Sequence, residues 1–181
     1  MARIPYVDQA NLDSTYRDLV VSSLQPGKTV NVYGAIGNNP EVLRGLREFL
    51  GTLWNHSGLD DRQREIVILT AASEAGSTYE WHQHVSIALD AGLDRDEISA
   101  LARDDRTPFS ETEQALVAYT RAVARGRVTD VLHDAVSEFL DEDTVVGAAA
   151  TAAGYTALAG LIDALGVEIE SGDEFVGWDL A

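Results

Sequence analysis

The hydrophobic and polar positions of this chain read as helices from end to end, with no strand-like alternation bounded by hairpin turns. Start and stop residues punctuate the pattern. Asn39 followed by Pro40 and Glu41 is an N-cap with proline at the first helical position, and its helix runs through Leu50 to about Trp54. Asp60 and Asp61 open the next helix with acids at its positive end, and Gly76 closes it. Ser77 and Glu80 have capping-box spacing, and their helix continues to Gly92. Asp94 with Glu97 and Ser110 with Glu113 repeat that spacing, the second of these helices ending near Gly126. Segments at about Asp130–Leu140 and Asp143–Leu165 follow, the last stopped by Gly166. The predicted fold is all-α, a bundle of about eight helices in a single domain over residues 1–181.

Connectors near Gln25–Lys28 and Arg106–Pro108 contain Gly or Pro but are too short to be interdomain linkers. Gly34 and Gly37 lack both a preceding strand and the full glycine pattern of a phosphate loop, so they predict a turn before the Asn39 helix. Val145 to Ile162 carries no charge and nears the length of a membrane span. It is mostly Ala, Gly and Thr, which predicts a helix in a protein core.

Composition narrows the function. The 181 residues are 45% hydrophobic, enough for a core without a metal or disulfide staple. The absence of cysteine excludes disulfides, thiolate metal sites, iron–sulfur clusters and thiol nucleophiles. Thirteen basic residues against 30 acidic ones give a net charge of −17, which repels nucleic-acid phosphates and anionic lipid surfaces. Twelve of the basic residues are arginine, and the acids are dispersed rather than gathered in a tail. That is the solvated skin of a protein kept soluble in concentrated salt. The N-terminus lacks an apolar signal core, which predicts a cytoplasmic protein.

Chemistry concentrates in the segment from Gly76 to His84. On a strand, Glu80, His82 and His84 would share a face and suggest a metal site. On the helix that the capping box and the apolar Trp81, Val85, Ala88 and Leu89 support, Glu80 and His84 share a face while His82 turns away. Histidine exchanges protons near neutral pH and a neighbouring carboxylate orients it, so this is an acid–base pair. The capping role would by itself account for Glu80. Glu65 stands at the edge of the all-apolar run Ile66 to Leu69 and needs a partner such as Arg62, Arg64 or a histidine, unless it is a first-turn glutamate favoured by the helix dipole.

Glu65, then Gly76-Ser77-x-Tyr79-Glu80-x-x-x-His84, then Ala91-Gly92-Leu93 resembles the carboxymuconolactone decarboxylase family, which includes the alkylhydroperoxidase D-like proteins. Arg3 to Asp8, Asn38 to Leu43, Gly154-Tyr155 and Ala164 to Val167 are similar to one subgroup. In the peroxidase branch a Cys-x-x-Cys pair begins twelve positions after the glutamate; here those positions hold Ser77 and Glu80, which cannot cycle through a disulfide. The resemblance implies an all-α fold assembled as a homo-oligomer, a trimer or hexamer of helical hairpins. It also implies a small organic acid or lactone as substrate and cofactor-free, lyase-type chemistry. His84 would donate the proton, with Glu65 and Glu80 setting its protonation state and Tyr79, Trp81 and Ser77 contacting substrate. The alternatives are a peroxidase-type relative that has lost its thiol chemistry and a non-catalytic oligomeric binding protein.

The charge balance has a direct consequence for stability. Self-repulsion at −17 is strong in dilute buffer and is screened within about 10 Å at 0.1 M salt. The melting temperature is therefore expected to rise as sodium chloride is taken into the molar range, and a salt-independent melt would refute the halophilic reading.

Overall fold

In the computed structural model, residues 2–21 and 29–180 are described; the connector near Gln25–Lys28 lies outside them. Two 3₁₀ turns, Gln9–Asn11 and Arg17–Val20, precede eight α-helices: α1 Asn31–Ile36, α2 Pro40–His56, α3 Asp61–Ala75, α4 Thr78–Asp90, α5 Arg95–Ala102, α6 Glu111–Ala124, α7 Asp130–Ser137 and α8 Glu142–Leu165. Among the described residues the only extended pairing is one antiparallel bridge between Val21 and Thr29.

The helix ends show why these segments begin where they do. Asn39 accepts from the Val42 N–H at 3.3 Å and so caps α2 as its spacing implies. Reciprocal capping boxes close at Asp94–Glu97 and Ser110–Glu113, and a further one forms at Asp60–Gln63. The box expected at Ser77–Glu80 is only half made. Ser77 Oγ accepts from the Glu80 N–H at 3.4 Å, but the Glu80 carboxylate does not reach back to the cap.

α1 replaces the turn expected at Gly34 and Gly37. Its N-cap, Val30, has no side-chain acceptor, so nothing local announces it. Other elements satisfy its first donors instead: Glu170 Oε1 accepts from Asn31 N at 2.9 Å and the Tyr79 hydroxyl accepts from Val32 N at 3.2 Å. Space is tight at Gly34, where a Cβ would stand 3.2 Å from Tyr6 Cβ.

α3 is the axis of the molecule and packs against α4, α5, α6 and α8. Every residue from Arg64 to Ala72 is buried, and its apolar side chains feed three separate clusters. Ile68 and Ala71 join α1, α2 and α8; Ile66, Leu69 and Ala72 join α4 to α6; Val67 joins α6 to α8. A helix lined on all sides has no polar face, as the run Ile66 to Leu69 foretold.

α8 is long and apolar enough to cross a bilayer by length and composition alone. It packs against α2, α3, α6 and α7 and places Gly147, Thr151, Tyr155 and Leu158 inside, as a core helix does. Its small residues do not form one covered face. Gly147 lies against the Ser57 backbone and Gly154 against Phe49 and Leu53 of α2, whereas Ala157 and Gly160 are exposed. Gly147 and Gly154 therefore allow close approach within the chain.

A Cβ at Gly154 would fall 2.8 Å from Phe49 Cε1 and 3.0 Å from Leu53 Cδ1. Gly154→Leu is expected to cost about 1–3 kcal/mol by overpacking. Gly160→Leu, whose Cβ would meet nothing within 4 Å, should not lower the urea midpoint.

Candidate active site

Gly76 folds α4 back along α3. It adopts φ +65°, a left-handed conformation that glycine reaches without a Cβ penalty, and it has open space around it, so the angle is what calls for glycine. The Ser77 N–H bonds the Ala72 carbonyl at 2.9 Å and Gly76 N the Ser73 carbonyl at 3.1 Å, a Schellman-type stop. The hairpin sets His84 of α4 opposite Glu65 of α3.

Glu65 lies one full turn inside α3 with no solvent exposure, beyond the reach of a first-turn dipole role. Its Oε2 is 2.9 Å from His84 Nδ1. The arginines on its own helix are engaged elsewhere. Arg62 binds Glu97 at 2.5 Å and Glu113 at 2.7 Å, while Arg64 stacks 3.8 Å from the Trp54 ring centroid and holds Asp61 at 2.8 Å. Arg64 Nε stays 3.8 Å from Glu65 Oε1, outside hydrogen-bond range.

With Glu65 ionised and His84 neutral, the carboxylate accepts from Nδ1–H and Nε2 keeps a lone pair. Among the described residues no protein group bonds that second nitrogen. The ring is set edge-on to Tyr155, 5.3 Å between centroids, and tilted against Trp54 at 6.4 Å.

His84 and Glu80 line one cavity of about 70 Å³, with Tyr33, Tyr79 and Tyr155 and aliphatic side chains of α1, α2 and α8 as its other walls. A wider hollow of about 360 Å³, bounded by Arg47, Trp54 and Asn55, shares Tyr33, Leu50 and Tyr155 with it. Glu80 is 3% exposed and neither carboxylate oxygen has a hydrogen-bond partner. Burial pushes its carboxyl up to about 8, with the nearby Ser77 hydroxyl pulling weakly the other way. At neutral pH the cavity therefore holds a protonated carboxyl beside a histidine. Tyr155 is also pushed well above its ordinary value, by burial first and then by the Glu65 charge, and stays a neutral phenol.

The structure separates the residues assigned to substrate contact. Tyr79 walls the cavity, but its hydroxyl donates to Glu170 Oε1 at 2.6 Å. Trp81 points to the opposite side of α4, where its indole N–H bonds the Gly177 carbonyl at 2.8 Å and its ring meets Trp178 at 5.0 Å. Ser77 caps the helix and borders a different hollow, beside Gly76 and Asp163. Neither Trp81 nor Ser77 reaches the cavity: Trp81 faces the C-terminal segment, and Ser77 sits at the start of α4 beside the last turns of α8. His82 faces a larger hollow of about 710 Å³ between α4 and the C-terminal segment, which shares only Gln83 with the cavity and holds none of Glu65, Glu80 and His84. Among the described residues no three acidic or histidine side chains converge as a metal site. Tyr33, Gln83, Leu50 and Tyr155 are among the walls that sequence reasoning did not assign. Tyr155, a lone large ring in an Ala/Gly-rich helix, carried the one visible signal.

Glu65, Glu80 and His84 all fall in residues 40–128, which match the carboxymuconolactone decarboxylase family model. That segment is similar to the carboxymuconolactone decarboxylase family. Solved structures of this fold include an alkylhydroperoxidase AhpD core, a peroxidase-related protein from Ralstonia eutropha JMP134. It is 18% identical, covering 94% of this chain and 93% of that one at a TM-score of 0.81. The debrominase Bmp8 in complex with 2,3,4-tribromopyrrole is 15% identical over 94% and 93%, with a TM-score of 0.76. A protein of unknown function from Agrobacterium tumefaciens is 17% identical over 75% and 94%, with a TM-score of 0.68. No curated protein matches the sequence.

The raised Glu80 carboxyl links stability to pH. Its folded value of about 8 lies above the ordinary 4.5, so the native state holds this proton longer than the unfolded chain does. Its stabilisation is complete below the ordinary value and is lost as pH rises toward and through about 8. Glu80→Gln, which stays neutral, is expected to flatten the decline of melting temperature between pH 5 and roughly 8 relative to wild type. Parallel curves for the two proteins would show that Glu80 ionises normally.

Proposed function

We propose that the protein is an acid–base enzyme of lyase type that acts without a cofactor on a small organic acid or lactone. The observation that carries this reading is the buried Glu65–His84 pair, 2.9 Å apart, beside a cavity where Glu80 has no structural employment. Glu65 orients the imidazole and compensates its charge when protonated, and His84 Nε2 exchanges the proton with substrate. Glu80 supplies a neutral carboxyl that donates to a developing oxyanion, a role that an ionised carboxylate could not fill. When carbon dioxide leaves a carboxylated lactone, the electron pair passes to the dienolate, whose oxygen Glu80 would stabilise and whose carbon would take the proton that His84 Nε2 has first picked up from solvent, Glu65 compensating the imidazolium.

A small cavity walled by tyrosine rings and aliphatic side chains suits a compact ring, with the wider hollow past Tyr33 and Tyr155 taking the remainder of the molecule. The debrominase of the same fold accommodates a tribromopyrrole, which supports a small planar substrate. Thiol peroxidase chemistry has no nucleophile here, since the sequence contains no cysteine. The proposal extends to a homo-oligomer, trimer or hexamer, supported by the exposed strip Val146, Ala153, Ala157 and Gly160 on α8 with Phe49 on α2.

A thermal-shift screen against lactones and aromatic-pathway acids, followed by turnover assays on the compounds that stabilise, tests the function. His84→Ala is expected to lower kcat by roughly 10²–10⁴-fold, with Glu65→Gln also impaired while folded. Undiminished turnover by His84→Ala would refute the mechanism.

A further inference from the structure

The chain carries −17 overall, yet four of its twelve arginines surround one hollow of about 300 Å³ at the α6–α7 end of the molecule. Arg121 comes from the last turn of α6, Arg125 is its C-cap, Arg127 follows just beyond, and Arg106 lies in the loop before the helix. The floor is Leu132 with two alanines of α6. Its lining shares no residue with that of the Glu80–His84 cavity.

Two of the four arginines are structural. Arg121 is 5% exposed; it binds Glu74 and the Leu101 carbonyl and pairs with Asp104 at 2.9 Å. Arg125 grips both oxygens of Glu74, at 2.6 and 2.8 Å. Burial works to raise the Glu74 carboxyl, but the hydrogen bonds from Arg125 and Arg121 outweigh it and hold it below its ordinary value, so it remains an anion. Asp104 takes φ +57°, in the left-handed region, with its carboxylate against Arg121.

Arg106 and Arg127 are exposed and make no side-chain hydrogen bond or ion pair among the described residues. Asp105, beside Arg106, turns its carboxylate onto Thr107 at 2.8 Å. Glu74 and Asp104 thus pair with Arg121 and Arg125, while no acidic side chain pairs with Arg106 or Arg127 among the described residues. Like charges held together in this way repel unless an anion lies between them. The guanidinium fork matches tetrahedral and planar oxyanions in particular.

We propose that this hollow binds a small, multiply charged oxyanion of the phosphate type, with Arg106 and Arg127 as its adjustable contacts and Arg121 and Arg125 as a fixed cationic wall. A ligand of this class is concentrated there against the repulsion of the surrounding acidic surface. The site is separate from the acid–base pair and stands whether or not that pair is catalytic.

Inorganic phosphate is the probe, titrated calorimetrically into the full chain at constant ionic strength set with sodium chloride. Saturable binding is expected, with matching thermal stabilisation by mass action. The double variant Arg106→Ala/Arg127→Ala should weaken it by about tenfold or more. Arg44→Ala, a surface change on α2, should leave it intact. Sulfate should compete and chloride should not. The double variant removes only exposed, unpaired side chains, so its melting temperature without phosphate should equal that of wild type. Three outcomes would overturn the proposal: no saturation in wild type, equal binding by wild type and the double variant, or a double variant altered in sedimentation but not in phosphate affinity. The last would make the basic rim a contact for an acidic surface of another copy.

Discussion

A helix buried on every side cannot hold a carboxylate unless some other group meets it, and α3 holds Glu65 with no exposure at all. His84 meets it, and the rest of the site follows from that demand. Gly76 must reverse the chain tightly enough for α4 to lie along α3, and α8 must cover the pair with Tyr155. Removing either partner would leave a polar group in a place where water cannot compensate it, so the pair is as much a condition of the fold as a candidate for chemistry.

Glu80 shows the opposite case. Glutamates at the third position of α5 and α6 reach back to their caps and end in partly solvated ion pairs with Arg62. Glu80 has the same position in α4, but α1, α2 and α8 close over it. Its carboxyl turns to the cavity, and without a partner the cheaper state is the protonated one. One local motif thus yields a salt bridge on the surface and a neutral acid in the interior.

The walls of the cavity also depend on the segment after α8. Glu170 accepts from the Tyr79 hydroxyl at 2.6 Å, from Gln83 Nε2 at 2.5 Å and from Asn31 N at 2.9 Å. A single carboxylate therefore fixes two cavity side chains and the start of α1 together. Trp178 covers Trp81 from the same segment, which keeps that indole in the core rather than at the site.

Local chemistry was enough to write α2 through α8 from the sequence. Asn39, Asp60, Asp94 and Ser110 cap donors within three residues of themselves, Gly76 and Gly166 terminate by their own backbone angles, and the apolar run Ile66 to Leu69 declares a central helix. The spacing of Glu65, Glu80 and His84 likewise named the three residues of interest. Tertiary structure decided what spacing could not. α1 exists because Glu170 and Tyr79, distant in sequence, satisfy its first amides. Trp81 and Ser77 share the motif yet miss the cavity, since adjacent residues on a helix point about 100° apart and only packing says which direction is inward. Tyr33, Gln83 and Tyr155 line the cavity because three helices converge there, and the identity of Glu80 as a neutral acid rather than a cap depends on burial, a property that no stretch of sequence possesses by itself.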